Sequence, residues 1–129
     1  MKVLVCGSRT YKNALQLGSV LEGLNSIVEI EVIVEGEAKG ADKMARWWAE
    51  GADVPVDPHP ADWETFGKSA GYLRNVEMLN TDPDLVIAFF DKPEEESRGT
   101  AMMCKLAEDN GTDVWKIFSV TPTEKEDSK

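Results

Sequence analysis

Five short apolar runs punctuate the chain, with amphipathic stretches between them. Lys2–Cys6, Glu31–Glu35, Val54–Val56, Leu85–Phe90 and Asp113–Phe118 have the length of strands, and the interior ones are nearly continuous in apolar residues. That pattern predicts strands covered on both faces, as in a parallel sheet. Leu17, Val20, Leu21 and Leu24 recur at helical spacing within Leu15–Asn25. Met44, Ala45 and Trp48 mark one face of a second helix that begins near Ala41. A third helix is expected over Asp62–Asn80, with Asp62 as N-cap and Trp63, Phe66, Ala70 and Leu73 on one side. A fourth runs from about Gly99 to Asp109 and stops at Asn110-Gly111. The acidic segment Asp91–Glu96 reads as a mobile loop, and residues 119–129 as a polar, disordered tail behind a domain of residues 1–118.

Strands that alternate with helices define an α/β domain with a mainly parallel sheet and helices on both faces. Pro55 cannot donate to a ladder, so the third strand belongs at an edge. Right-handed crossovers then give the strand order 3-2-1-4-5. In that order the first and fourth strands are neighbours where the winding reverses, and ligands bind there, beyond the carboxyl ends of the strands.

Three loops carry the candidate chemistry, each beside the end of an expected strand. They are Gly7-Ser8-Arg9, Gly36-Glu37-Ala38-Lys39-Gly40-Ala41-Asp42 and Ser97-Arg98-Gly99-Thr100. Small residues let a backbone approach a ligand, a helix start offers free amides to an anion, and arginine forks onto phosphate oxygens. Gly40 and Ala41 give close approach. Asp42 either caps its helix or accepts from a ribose hydroxyl, and Lys39 either holds phosphate or is solvated. On the third helix Gly67, Gly71, Arg74 and Met78 share a face, and Asn75 either contacts a base or faces solvent. Adjacent Trp47 and Trp48 cannot both face one core, so one is a candidate for a dimer contact or for stacking on a base.

Composition narrows the partner. A chain of 129 residues with a formal net charge of −10 repels nucleic acid and anionic membranes, which leaves a small molecule as the expected partner, with a homodimer as a further possibility. Of its four arginines, Arg9, Arg74 and Arg98 lie in these segments, and only Arg46 does not. Cys6 and Cys104 read as reduced core thiols, and His59 is the single histidine, so no metal site is expected. Met1-Lys2 leads straight into a strand pattern, and no apolar stretch is long enough to span a membrane; a cytoplasmic protein is expected.

Val5-Cys6-Gly7-Ser8-Arg9, Glu35 to Asp42, Pro60-Ala61-Asp62-Trp63 with Gly67-Lys68 and Ala70-Gly71, Arg74-Asn75 with Met78, and Ser97-Arg98-Gly99-Thr100 together resemble the YspA-like (cpYpsA-related) branch of the SLOG superfamily. The resemblance implies a Rossmann-like fold and a nucleotide or nucleotide-derived ligand, such as ADP-ribose or NAD, with no other cofactor required. Within that superfamily, Arg74 with Met78 and Ser97 to Thr100 are similar to the arginine helix and phosphate loop of the LOG phosphoribohydrolases. There the loop is followed by glutamates, one of them catalytic; here Ala101, Met102 and Met103 follow. Glu35, Glu37 or Asp91 could substitute from nearby loops, with Glu37 and Asp91 as the catalytic candidates. The leading expectation is a sensor or sequestering protein; the alternative is an N-glycoside hydrolase with a displaced carboxylate. Single-strand DNA handling, a third possibility by superfamily analogy, is opposed by the charge.

Overall fold

A computed structural model describes residues 1–119. Strands β1 (Lys2–Gly7), β2 (Val32–Glu35), β3 (Val56–Pro58), β4 (Leu85–Phe90) and β5 (Asp113–Phe118) form one sheet in the order β3-β2-β1-β4-β5. Every pairing is parallel, which makes the fold Rossmann-like with the expected order. Side chains alternate across the strands and build two cores. Val3, Val5, Ile33, Ile87 and Phe89 pack with Leu17, Leu21 and Ala45 of helices α1 (Ala14–Val28) and α2 (Ala41–Gly51). Leu4, Val34, Val86, Ala88 and Phe90 pack on the other face against Met78, Met103 and Ala107. All six residues of β4 are buried, and each large apolar side chain withdrawn in this way contributes roughly 1.5–3 kcal/mol.

The expected third helix is broken. Asp62 caps its start by accepting from the Thr65 amide at 3.1 Å, but α3 lasts only from Trp63 to Phe66. Gly67 then takes φ +55°, a 3-10 turn spans Gly67–Ser69, and α4 begins at Ala70 and ends at Leu79. Glycine is the residue that adopts a positive φ without strain, so the chain turns there. Gly67 therefore leaves the stripe, and Gly71, Arg74 and Met78 remain together on α4. The strand at the edge is shifted as well: Val54–Val56 was expected, whereas Val56–Pro58 pairs with β2, and Pro55 contributes its carbonyl to the Ile33 amide at 2.9 Å.

Helix α5 (Arg98–Asp109) closes the second face and stops at Gly111, which has φ +82°. Glu94–Glu96 forms a 3-10 turn within the acidic loop. The Ser119 amide donates to the Phe90 carbonyl at 2.7 Å, so pairing reaches the first residue of the expected tail; residues 120–129 lie outside the described residues. No helix among the described residues is long and apolar enough to cross a membrane.

The edge strand is fastened to α4 through His59. Its Nδ1 bonds Glu77, and its Nε2 lies 3.1 Å from Asp57 Oδ2 in an ion-pair contact that is poorly directed for a hydrogen bond. Burial opposes the charge on the ring, but the bond to Glu77 and the negative charge of Asp57 outweigh it and raise the pKa above 6.5. A raised histidine contributes stability that is complete below its unfolded value and is lost as pH rises through the folded one. His59→Gln is expected to remove the part of the stability loss that wild type shows above pH 6.5. Urea unfolding across that range checks it; an unchanged pH profile would count against the clamp.

Candidate functional site

At the carboxyl end of β1 the chain leaves no room for a side chain on Gly7. A Cβ on Gly7 would fall 2.5 Å from the Phe89 carbonyl oxygen and 2.6 Å from the Ala41 Cβ, so β1, β4 and α2 converge on this glycine. Ser8 follows, buried, with its amide on the Phe89 carbonyl at 3.0 Å. Its hydroxyl meets that of Ser97 at 3.0 Å, which joins the first and third loops across the point where the winding reverses. Ser97 sits at the N-cap of α5 yet makes no capping bond, because its hydroxyl is turned to Ser8. The first amides of α5 therefore keep their positive end open to the cleft. Gly99 has nothing within 4 Å of where a Cβ would stand, so a ligand can reach that backbone.

The cleft above these loops has a volume of about 610 Å³, within the range of small-molecule sites. Among the described residues, Arg9, Lys68, Arg74, Lys92 and Arg98 line it, against two acidic residues, Asp42 and Glu96. On a chain of net charge −10, that concentration of cations is local and focuses attraction for an anion. Trp63 and Tyr72, each about half exposed, add aromatic faces of the kind that stack on a base. Lys68, Tyr72 and Lys92 were not foreseen as site residues. Lys68 follows Gly67, whose turn could have drawn attention to it; Lys92 had no signal beyond its charge.

The second loop is built differently from the expectation. Its amides point inward, onto the chain's own carboxylates. The Gly36 and Ala38 amides donate to Asp42 Oδ2 at 3.0 and 3.3 Å, and the Glu37 amide donates to Glu35 Oε1 at 2.6 Å. Asp42 thus caps the loop before its helix rather than the helix itself. Gly40, with φ +79°, packs on the carbonyls of Ser8 and Arg9, and Ala41 is fully buried in the core. Gly36, Lys39, Gly40 and Ala41 do not line the cleft; of this loop, Ala38 and Asp42 do.

Arg74 has a bracing role. Its Nη1 donates to the Gly36 carbonyl at 2.5 Å, its Nε donates to Asn75 Oδ1 at 3.0 Å, and its guanidinium fills the space where a Gly36 side chain would be. Asn75 is buried, and its Nδ2 donates to the Gly99 carbonyl at 3.3 Å, so neither solvent exposure nor base contact is its first task. Together the pair links the second loop to the start of α5. Both still line the cleft, as do Gly71, Arg98 and Thr100.

Neither catalytic candidate lies in the cleft wall. Glu37 is held by Arg46 Nη1 at 2.6 Å, and Asp91 accepts from Thr10 Oγ1 at 2.6 Å on the exposed side of the first loop. Of the two carboxyl groups that line the cleft, Glu96 is exposed and Asp42 is only 5% exposed; burial, with the nearby Glu35 adding to it, pushes the Asp42 pKa to about 7 against the pull of the two amides and Arg74. Glu35 is fully buried behind it, and burial raises its pKa too. Cys6 and Cys104 are free and buried; the bond between them and burial hold the Cys6 thiol well above its ordinary value, hence protonated. Trp48 is half-buried and donates to Glu22 at 3.2 Å, whereas Trp47 is exposed and away from the cleft, so neither stacks on a cleft ligand. No cluster of His, Cys, Asp or Glu among the described residues could hold a metal ion.

A Rossmann-like sheet with a cation-lined cleft at its winding reversal defines the class of protein. Residues 1–66 match the YspA, cpYpsA-related SLOG family (YAcAr). The "Gene 61 protein" of Mycobacterium phage D29 is 38% identical over 119 residues, covering 88% of this chain and 93% of that protein. The chain belongs to the YspA, cpYpsA-related SLOG family. Among solved structures, a phosphoribosylglycinamide formyltransferase of Coxiella burnetii aligns with a TM-score of 0.42 and 19% identity over 67% of this chain, which spans 39% of that protein's length.

Proposed function

We propose that the chain binds a nucleotide or nucleotide-derived ligand, as a sensor or sequestering protein. The observation that carries this reading is the uncapped N-terminus of α5, open to a cleft that gathers five cations on an acidic chain. A phosphate takes the amides of Arg98, Gly99 and Thr100, with Arg98 and Arg9 as counter-charges. Trp63 or Tyr72 offers a face to the base. Asp42 stands across the end of β1 as the partner for a sugar hydroxyl. A second reading, hydrolysis of an N-glycosidic bond, is favoured by one feature: Asp42 is a cleft-facing carboxyl group that titrates near neutrality, the property a general acid or base needs.

Calorimetric titration of AMP, ADP-ribose and NAD into wild type, Arg9→Ala and Arg98→Ala tests the proposal. Loss of a charge-assisted bond to phosphate is worth roughly 1.5–3 kcal/mol, so each variant should bind about 10- to 100-fold more weakly. Equal affinities in all three proteins would sink the reading. Mass spectrometry of the recovered ligand separates binding, with the ligand intact, from hydrolysis, with free base released.

A further inference from the structure

Two acidic side chains are withdrawn from water where β2 ends and α2 begins: Glu35 is 0% exposed and Asp42 is 5% exposed. Consecutive amides of the loop between them alternate from one to the other, Gly36 and Ala38 to Asp42 and Glu37 to Glu35. These donors cover one oxygen of each carboxyl group. Glu35 Oε2 is buried with no hydrogen-bond partner among the described residues, and Asp42, with both amide bonds on Oδ2, turns its free edge to the cleft. The cation that faces them from α4, Arg74, spends its bonds on the Gly36 carbonyl and Asn75 and makes no ion pair with either. Cys6 faces Asp42 from β1 as a neutral thiol. Glu37 and Arg46, near Glu35, are paired with each other. Two carboxylates bridged by consecutive amides of one loop, in a desolvated site with no ion partner among the described residues, do not both ionise, because each charge raises the cost of the other.

We propose that Glu35 and Asp42 hold a single proton between them and exchange it with the cleft through Asp42. With the proton in place, the wall across β1 from the α5 N-terminus donates an O–H to a ligand oxygen. Without it, the same wall accepts from a ligand hydroxyl. The proposal deepens the ligand-binding reading by naming a proton-exchanging group in the cleft, but the proton is measured with no ligand present. The near-neutral titration of Asp42, which follows from burial and from the charge of Glu35, agrees with it.

The amide protons of Gly36, Glu37 and Ala38 touch the pair directly, so their nuclear magnetic resonance shifts between pH 4 and pH 9 report its titration. In the wild-type chain all three should show a transition with its midpoint near neutrality. Glu35→Gln should lower the midpoint seen by Gly36 and Ala38 by about one pH unit, a tenfold change in proton affinity. Midpoints in the ordinary carboxyl range, or a midpoint unmoved by Glu35→Gln, would overturn the pair. Should that variant fail to fold, the side-chain carboxyl carbon shifts of the wild-type chain decide: both groups ionising below pH 5 overturns the proposal, and one ionising near neutrality upholds it. A chain that titrates near neutrality yet binds no nucleotide keeps the pair and loses the ligand-binding reading, so the two failures are distinct.

Discussion

Gly40→Ala will melt on the order of 10–20 °C below wild type, while Gly99→Ala will melt at the wild-type temperature or a few degrees above it. Both glycines belong to loops of the same appearance in sequence, and they differ in what surrounds them. Gly40 adopts φ +79° and ψ −125°, a conformation that costs a side-chain-bearing residue about 1–3 kcal/mol. A Cβ there would also lie 2.6 Å from the Arg9 carbonyl oxygen and closer still to that of Ser8. Neither atom is the end of a flexible side chain. Both belong to the backbone that leaves β1, so relief requires α2 or the first loop to move, for roughly another 1–3 kcal/mol. The sum is a large part of the roughly 5–15 kcal/mol that holds a domain of this size folded. At Gly99 the space is open, and alanine suits a helix better than glycine by up to about 1 kcal/mol. Its methyl would stand over the first amides of α5 and weaken the proposed anion binding without weakening the fold. Differential scanning calorimetry of both variants checks the contrast; a Gly40→Ala protein that melts with wild type would mean that the second loop does not rest on the first.

The same contrast explains what could be read from residues alone. The strand order was legible because it follows from burial and chirality: apolar runs need cover on both faces, and prolines at the third run, Pro55 before the strand and Pro58 at its end, suit an edge. The meeting of the Gly7-Ser8-Arg9 loop with the Ser97–Thr100 loop follows from that order, and the Ser8–Ser97 bond realises it. Glycine-rich composition, however, does not say whose backbone comes close. At Gly7 and Gly40 it is the protein's own, whereas at Gly99 the space is free. The direction of an amide is equally invisible in sequence: Gly36 to Ala38 look like an anion nest, but the nest is filled by Asp42 and Glu35. Glu37 and Asp91 were reasonable carboxyl candidates by position, but neither lines the cleft: Glu37 is held by Arg46, and Asp91 accepts from Thr10. The break at Gly67 was missed because helical periodicity continues in phase across it; only the positive φ distinguishes a packing glycine from a turning one.

Asp42→Asn should make the protein more stable above neutral pH, by about 4 kcal/mol, and no more stable near pH 3.5. The carboxyl titrates at 3.8 in an unfolded chain and at about 7 in the folded one. A folded value above the unfolded one means that the native state holds the proton more tightly. The contribution to stability is therefore complete below pH 3.8 and disappears as pH rises through about 7. Three pH units of difference correspond to about 4 kcal/mol, lost by wild type across that window. Asparagine carries no charge to desolvate, and its Oδ1 can accept from the Gly36 and Ala38 amides as Asp42 Oδ2 does. The variant should keep a shallower slope, because burial raises Glu35 in the same direction. Urea unfolding from pH 4 to pH 8 measures the difference. If Asp42→Asn were instead less stable at pH 8, the carboxylate would be ionised and well held by its amides, and the shared proton would fail with it. A destabilising aspartate facing a ligand cleft is the kind of group that binding or catalysis can require at the expense of the fold. Greater stability in Asp42→Asn together with weaker nucleotide binding would place the fold and the function of this cleft in opposition at one residue.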